Sequence, residues 1–202
     1  MVLFQILALC GMLGPIIYTA MWIYGGMLDP EYSHIRDDVS SLIAVDAPNK
    51  TRLDKFIISS SVLLLVFFSG LHWGINDATG SPIGPLLFVA ASIFGVLVAV
   101  FFPLDPGGEI ETIRGKMHLI LVVLMGLLTI AGMVAIWFRL NTVSGWIVFA
   151  SFSLIVAIVA LVSVVVSGVF IMSKYRGLLE RFSVSTYQVY YFVFAFMIFI
   201  MN

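Results

Sequence analysis

No aspartate, glutamate, lysine, arginine or histidine occupies the middle of any long apolar run in this chain, and cysteine occurs once. The first absence argues against an ion pump or a proton-coupled transporter, whose pathways place ionisable groups at mid-membrane depth, and a retinal-type Schiff base would need a lysine there. The second excludes an internal disulfide and a cysteine-based metal cluster, and Cys10, inside the first apolar run, reads as packing. There is no His-Glu-x-x-His motif, no repeat of fixed period and no low-complexity segment. A net charge of −1 argues against nucleic acid as a partner.

What the chain has in abundance is apolar surface. Its residues are 61% hydrophobic and its mean hydropathy is +1.13, more than a water-soluble core of this size could hide. Six apolar runs, Val2 to Gly26, Arg52 to Ile75, Ile83 to Phe102, Met117 to Phe138, Gly145 to Met172 and Thr186 to Met201, approach or exceed the roughly 20 residues that cross a bilayer as a helix. The expected fold is all-α, a polytopic membrane bundle of six transmembrane helices forming one domain over residues 1–202. The first run is too long for a signal-peptide core and reads as a retained helix.

Charge sets the expected sidedness. All charged residues except Asp77 and Arg139 fall in the loops after runs one, three and five or at the adjoining ends of the runs. Those loops hold Arg36, Lys50, Arg52, Lys55, Arg114, Lys116, Lys174, Arg176 and Arg181. The positive-inside rule puts them in the cytoplasm and both termini outside, for a multi-pass protein of the cell membrane. The sequon Asn49-Lys50-Thr51 is then silent, and the basic loops can touch anionic lipid headgroups.

The loop after run one is the longest. Asp29-Pro30-Glu31 has the form of a helix start, and Tyr32, Ile35, Val39, Leu42 and Ile43 share one face at 100° per residue, so a short amphipathic helix is expected over Pro30 to Ala44. Thr51 with Asp54, and Ser185 with Gln188, read as capping boxes opening the second and the last, shortest helix. Asp105 before Pro106 is expected to present its side chain from an extended backbone. Helix four should begin near Thr112, with Arg114 and His118 stacked one turn apart. Gly70 and Gly74 form a Gly-x-x-x-Gly pair suited to close packing within the bundle or, less favoured, to self-association.

The polar residues on the expected cytoplasmic side make a candidate site: Asp38, Ser41, Asp105, Arg114, His118, Glu180 and Arg181, with Glu31, His34 and Ser40 nearby. Arginine forks and an imidazole suit a phosphate or lipid headgroup. Loops of opposite charge sharing one face also pair simply to satisfy one another. Two further readings stay open: a lipid-modifying enzyme using His118 with Asp105 or Asp38 as base and orienter, and a subunit that docks a cytosolic protein. A metal hydrolase would draw on His34, Asp38, Asp105 and His118, a set without metal-ligand spacing. His72 sits at the opposite surface and reads as an interface residue. No cofactor is expected.

Asp38-Val39-Ser40-Ser41-Leu42, Phe102-Pro103-Leu104-Asp105, His118 at the start of helix four and Gly177-Leu178-Leu179-Glu180-Arg181, in this order, resemble the pattern of a prokaryotic six-helix family, domain of unknown function 998. That family is similar in layout to FRAG, DRAM and Sfk proteins, which implies a membrane-embedded, lipid-related role, and membrane lipids as partners. The resemblance favours Asp38, Ser41, Asp105, His118, Glu180 and Arg181 as the site. Ceramidase-like metal-dependent amidases are less similar, with seven helices and a three-histidine site.

Overall fold

The computed structural model describes residues 2–108 and 110–202. Within them lie six α-helices and no strand: α1 (Val2–Leu28), α2 (Lys50–Gly74), α3 (Ile83–Phe101), α4 (Ile113–Leu140), α5 (Ile147–Val169) and α6 (Arg176–Met201). All six are long and apolar enough to cross a membrane, so the chain is a multi-pass membrane protein. Helices are what such a sequence can form in lipid, because each one satisfies its own backbone hydrogen bonds.

Each helix packs mainly on its neighbours in sequence, and α6 returns to pack on α1, closing the six into an up-and-down ring. Lipid provides no hydrophobic drive between helices, so contact depends on close fit and small residues. A Cβ at Gly11 would lie 2.6 Å from the Phe67 ring and 2.7 Å from Ala195, so α1 can approach both α2 and α6 only with glycine there. Gly70 receives Leu7, and Gly74 receives Phe4 and Ile198, all from within the chain.

The ring encloses a lumen whose two halves differ. Towards the even loops it is plugged by aromatics: Phe68 stacks on Phe88 at 5.0 Å, and Phe149 meets Phe194 at 4.6 Å and Tyr190 at 5.8 Å. Such pairs add about 0.5–1.5 kcal/mol each beyond the area they bury. The hydroxyls of Tyr190 and Tyr191 reach Ser153 and Thr129 at 3.2 and 2.8 Å, so the plug leaves no polar tip stranded. Arg139, 9% exposed, closes this end by donating to the carbonyls of His72, Ile75 and Ser81 and to His72 Nδ1. It thereby caps the last carbonyls of α2, which have no partners within the helix.

Three local expectations are corrected. The amphipathic helix over Pro30 to Ala44 is a single 3-10 turn, Val39–Ile43, preceded by hydrogen-bonded turns. Val39, Leu42 and Ile43 are buried against Met21 and Leu53 as the apolar stripe requires, but Ile35 is exposed, because backbone groups of 34–37 bond to α6 instead of to a helical turn. The last helix starts at Arg176, not Thr186, and has 26 residues; α3 is the shortest, with 19. Its charged first turns are held by the first loop, a long-range partner that outweighs the local Ser185–Gln188 signal. Finally, α2 begins at Lys50, with Asn49 in the N-cap position but making no side-chain capping bond, and Asp54 accepts from Lys50 at 2.6 Å instead of closing a box with Thr51.

Candidate functional site

The long first loop is laid across the start of α6 and fastened there. Arg181, 6% exposed, donates through Nη1 to the carbonyls of His34 (2.7 Å), Asp37 (2.8 Å) and Gly177 (2.8 Å), and through Nη2 to the Tyr32 hydroxyl. Its guanidinium lies 5.4 Å from the Trp22 ring centre and 5.3 Å from that of Tyr32, within cation–π range. The Leu178 amide donates to the Ile35 carbonyl at 3.0 Å, and the Val39 amide to Glu180 Oε2 at 2.6 Å. Arg176 donates to the Arg36 carbonyl at 3.1 Å and stands 3.6 Å from Asp38. Burial pushes the Asp38 carboxyl up, with Arg176 and Arg181 pulling against it. Burial, reinforced by Arg181, lowers the His34 imidazole, which packs edge-on to Trp22 and Tyr32.

Asp105 is not presented to solvent. It is 2% exposed, and both its oxygens are taken: Oδ2 by the amides of Glu111 (3.0 Å) and Thr112 (2.7 Å), Oδ1 by the Thr112 hydroxyl (2.6 Å) and Arg114 Nη2 (2.8 Å). Thr112 in turn caps α4 by accepting from the Gly115 amide at 3.3 Å. The side chain is turned into the start of α4, where free amides favour an anion. The Thr112 hydroxyl, and then its amide and Arg114, hold the Asp105 carboxyl well below the ordinary aspartate value of 3.8. A depressed folded value stabilises at pH above the unfolded one and is lost in acid. The thermal midpoint in detergent is therefore expected to drop as pH falls below about 4. Asp105→Asn should lower it at neutral pH and flatten that acid dependence; an unchanged acid slope would refute this role.

His118, 4% exposed, turns Nδ1 to the Phe102 carbonyl at 2.7 Å. A carbonyl only accepts, so the proton is assigned to Nδ1 and Nε2 is left to accept from the Ser40 hydroxyl at 3.3 Å. Neither Asp38 nor Asp105 is a hydrogen-bond partner of the ring. Among the described residues no group of three or more His, Cys, Asp and Glu side chains comes together. Asp105 has spent its oxygens, His118 faces Phe102 and Ser40, and His34 packs between aromatics.

Instead of one cluster, the structure divides the candidates. His118 and Glu180 line a cavity of about 130 Å³ in the half of the lumen away from the aromatic plug. Val39, Ser40 and Ile43 roof it, and its walls come from α1, α2, α3, α4 and α6, with Ser60, Ser92, Gly95 and Gly126 keeping it open. Arg181 and Asp38 fasten the roof, and Asp105 and Arg114 anchor α4. Ser41 lines a separate, more open cleft of about 300 Å³ with Asp29, Glu31, Asp37, Asp46 and Arg176. The sequence reading missed Tyr18, Tyr187 and Gln188 as lining residues. Glu180, Val184, Tyr187 and Tyr191 share one helical face, a pattern visible only once α6 extends back to Arg176.

A family model described as protein of unknown function (DUF998) matches residues 12–197. The chain belongs to this family. The match reaches into all six helices and takes in the roof and every cavity-lining residue named above. No curated protein and no solved structure matches it.

Proposed function

We propose that this membrane protein holds the polar end of a membrane lipid or similar amphiphile in the lumen, beneath the 3-10 roof and on the cytoplasmic side. The observation that supports this is a lumen filled with aromatics in one half and left open in the other, with apolar walls leading to His118, Ser40 and Glu180. Concave, mostly apolar sites with a few convergent polar groups are what small-molecule binding sites have in common. At about 130 Å³ the space is well below the 300 Å³ or more typical of drug-sized ligands. It takes a headgroup or a chain segment rather than a whole lipid.

Gly95 tests this reading. A Cβ there meets only Met125 Sδ at 3.4 Å and Ser61 at 3.8 Å, so a larger side chain grows into the cavity and spares the helix contacts. Gly95→Leu should purify as a folded, monodisperse protein and lose most of the co-purifying amphiphile that native mass spectrometry detects on the wild type. Equal retention by the folded variant would place the amphiphile elsewhere.

A further inference from the structure

The arginines beside the lumen turn their terminal nitrogens away from it, and only Nε of Arg181 and of Arg114 is left buried without a partner. Arg181 is spent on three carbonyls and Tyr32, Arg176 on the Arg36 carbonyl and Asp38, and Arg114 on Asp105. None lines the cavity, and neither does any lysine. An anionic headgroup would therefore enter a space without a permanent cation and meet a carboxylate.

What the lumen offers is two acceptors, Glu180 and Gln188 Oε1, and at Tyr187 a hydroxyl that can accept as well as donate. Glu180 lines it, gives Oε2 to the Val39 amide, and among the described residues has no Lys, Arg or His within ion-pair distance. Deeper in, Tyr187 is 9% exposed and its hydroxyl is buried without a partner, as is Gln188 Oε1. A Cβ on Gly126 would sit 3.2 Å from that hydroxyl, so only a glycine opposite leaves it clear. Leaving a buried polar group unmet costs about 1–3 kcal/mol, a cost that a ligand carrying donor protons removes. Seven residues separate Glu180 from Tyr187, about 10 Å along the helix, so acceptors run from the roof into the cavity.

Building on the lumen reading above, we propose that the ligand is an amine-bearing amphiphile: Glu180 supplies the counter-charge to its ammonium, and Tyr187 and Gln188 meet donor groups further down. This reverses the anionic preference that the basic loops suggest, since Arg176 and Arg181 hold the roof and Arg114 holds the start of α4.

The test compares matched twelve-carbon ligands, dodecylamine, dodecanol and dodecyl phosphate, with the water-soluble butylamine. Each is titrated onto the full chain in phosphatidylcholine nanodiscs and read by native mass spectrometry. Charge-assisted hydrogen bonds predict that dodecylamine binds about 10-fold or more tightly than dodecyl phosphate. Glu180→Gln, whose amide oxygen can still accept from Val39, should abolish that ratio in protein whose thermal midpoint shows it folded. The proposal is overturned if the phosphate binds as well as the amine, or if the folded variant keeps the preference. The wild-type comparison decides the matter even if the variant does not fold. Binding of dodecylamine but not butylamine assigns the ligand to the bilayer, whereas equal binding of both assigns it to water-soluble amines. If none of the four binds, the lumen reading itself falls; if only the alcohol and phosphate bind, that reading survives and the amine assignment does not.

Discussion

Arg181→Ala should detach the first loop and destabilise the protein by about 3 kcal/mol or more. The side chain satisfies three carbonyls and a phenol from a position 6% exposed. Each buried acceptor left without a donor costs about 1–3 kcal/mol, less where water can reach it. Arg181→Lys should recover part of the loss, because one ammonium cannot reproduce a planar fork that meets carbonyls on two segments while stacked between Trp22 and Tyr32. The checks are the thermal midpoint in detergent and the rate at which protease cuts residues 29–38. Cutting should accelerate in the alanine variant well before the helices melt. Because Val39 and Ser40 roof the cavity, amphiphile retention should fall with it; a variant with a wild-type melting point and an intact loop would show that Arg181 is not the fastening.

Gly177→Ala should also destabilise the protein, against what helix propensity alone predicts. Alanine in place of glycine within a helix normally gains about 1 kcal/mol. Here the added methyl would overlap the carbonyl oxygen of Asp37 and lie 2.8 Å from its nitrogen, and backbone cannot swing away as a side-chain tip can. Overpacking of this kind typically costs 1–3 kcal/mol, which offsets the propensity gain and leaves a net loss of about 1 kcal/mol, again with faster cutting of the loop. Gly168→Ala provides the control. Nothing lies within 4 Å of a Cβ there, and it should be neutral or slightly stabilising. If both variants gain stability alike, the contact between α6 and the first loop is not a close one.

Both predictions rest on residues whose importance was only half legible. Glu180 and Arg181 stood out in the sequence as charges beside a membrane span, and both matter, but for different tasks: one lines the lumen, the other fastens its roof. Asp105 was legible as a charge beside a proline, although its target, the amides of Glu111 and Thr112, was not. Tyr187 and Gln188 were hidden among aromatic and apolar neighbours, since nothing in a run of tyrosines and phenylalanines tells which ring faces a cavity and which, like Tyr190, fills the plug.

The sequence by itself determined the class of the protein and the number of its crossings. Hydropathy is a local property, summed over about 20 residues, and each span carries its own signal whatever its neighbours do. Loop length and the clustering of charge on alternate loops likewise follow from order along the chain. Only the tertiary structure decided that the six helices close into a ring, that aromatics plug one half of its lumen, and that the arginines turn to the loop backbone while the cavity keeps Glu180, Tyr187 and Gln188. Those outcomes depend on which donors and acceptors meet across more than a hundred residues of separation, as Val39 and Glu180 do at |i−j| = 141. A buried polar group must find a partner somewhere, but only packing selects which one.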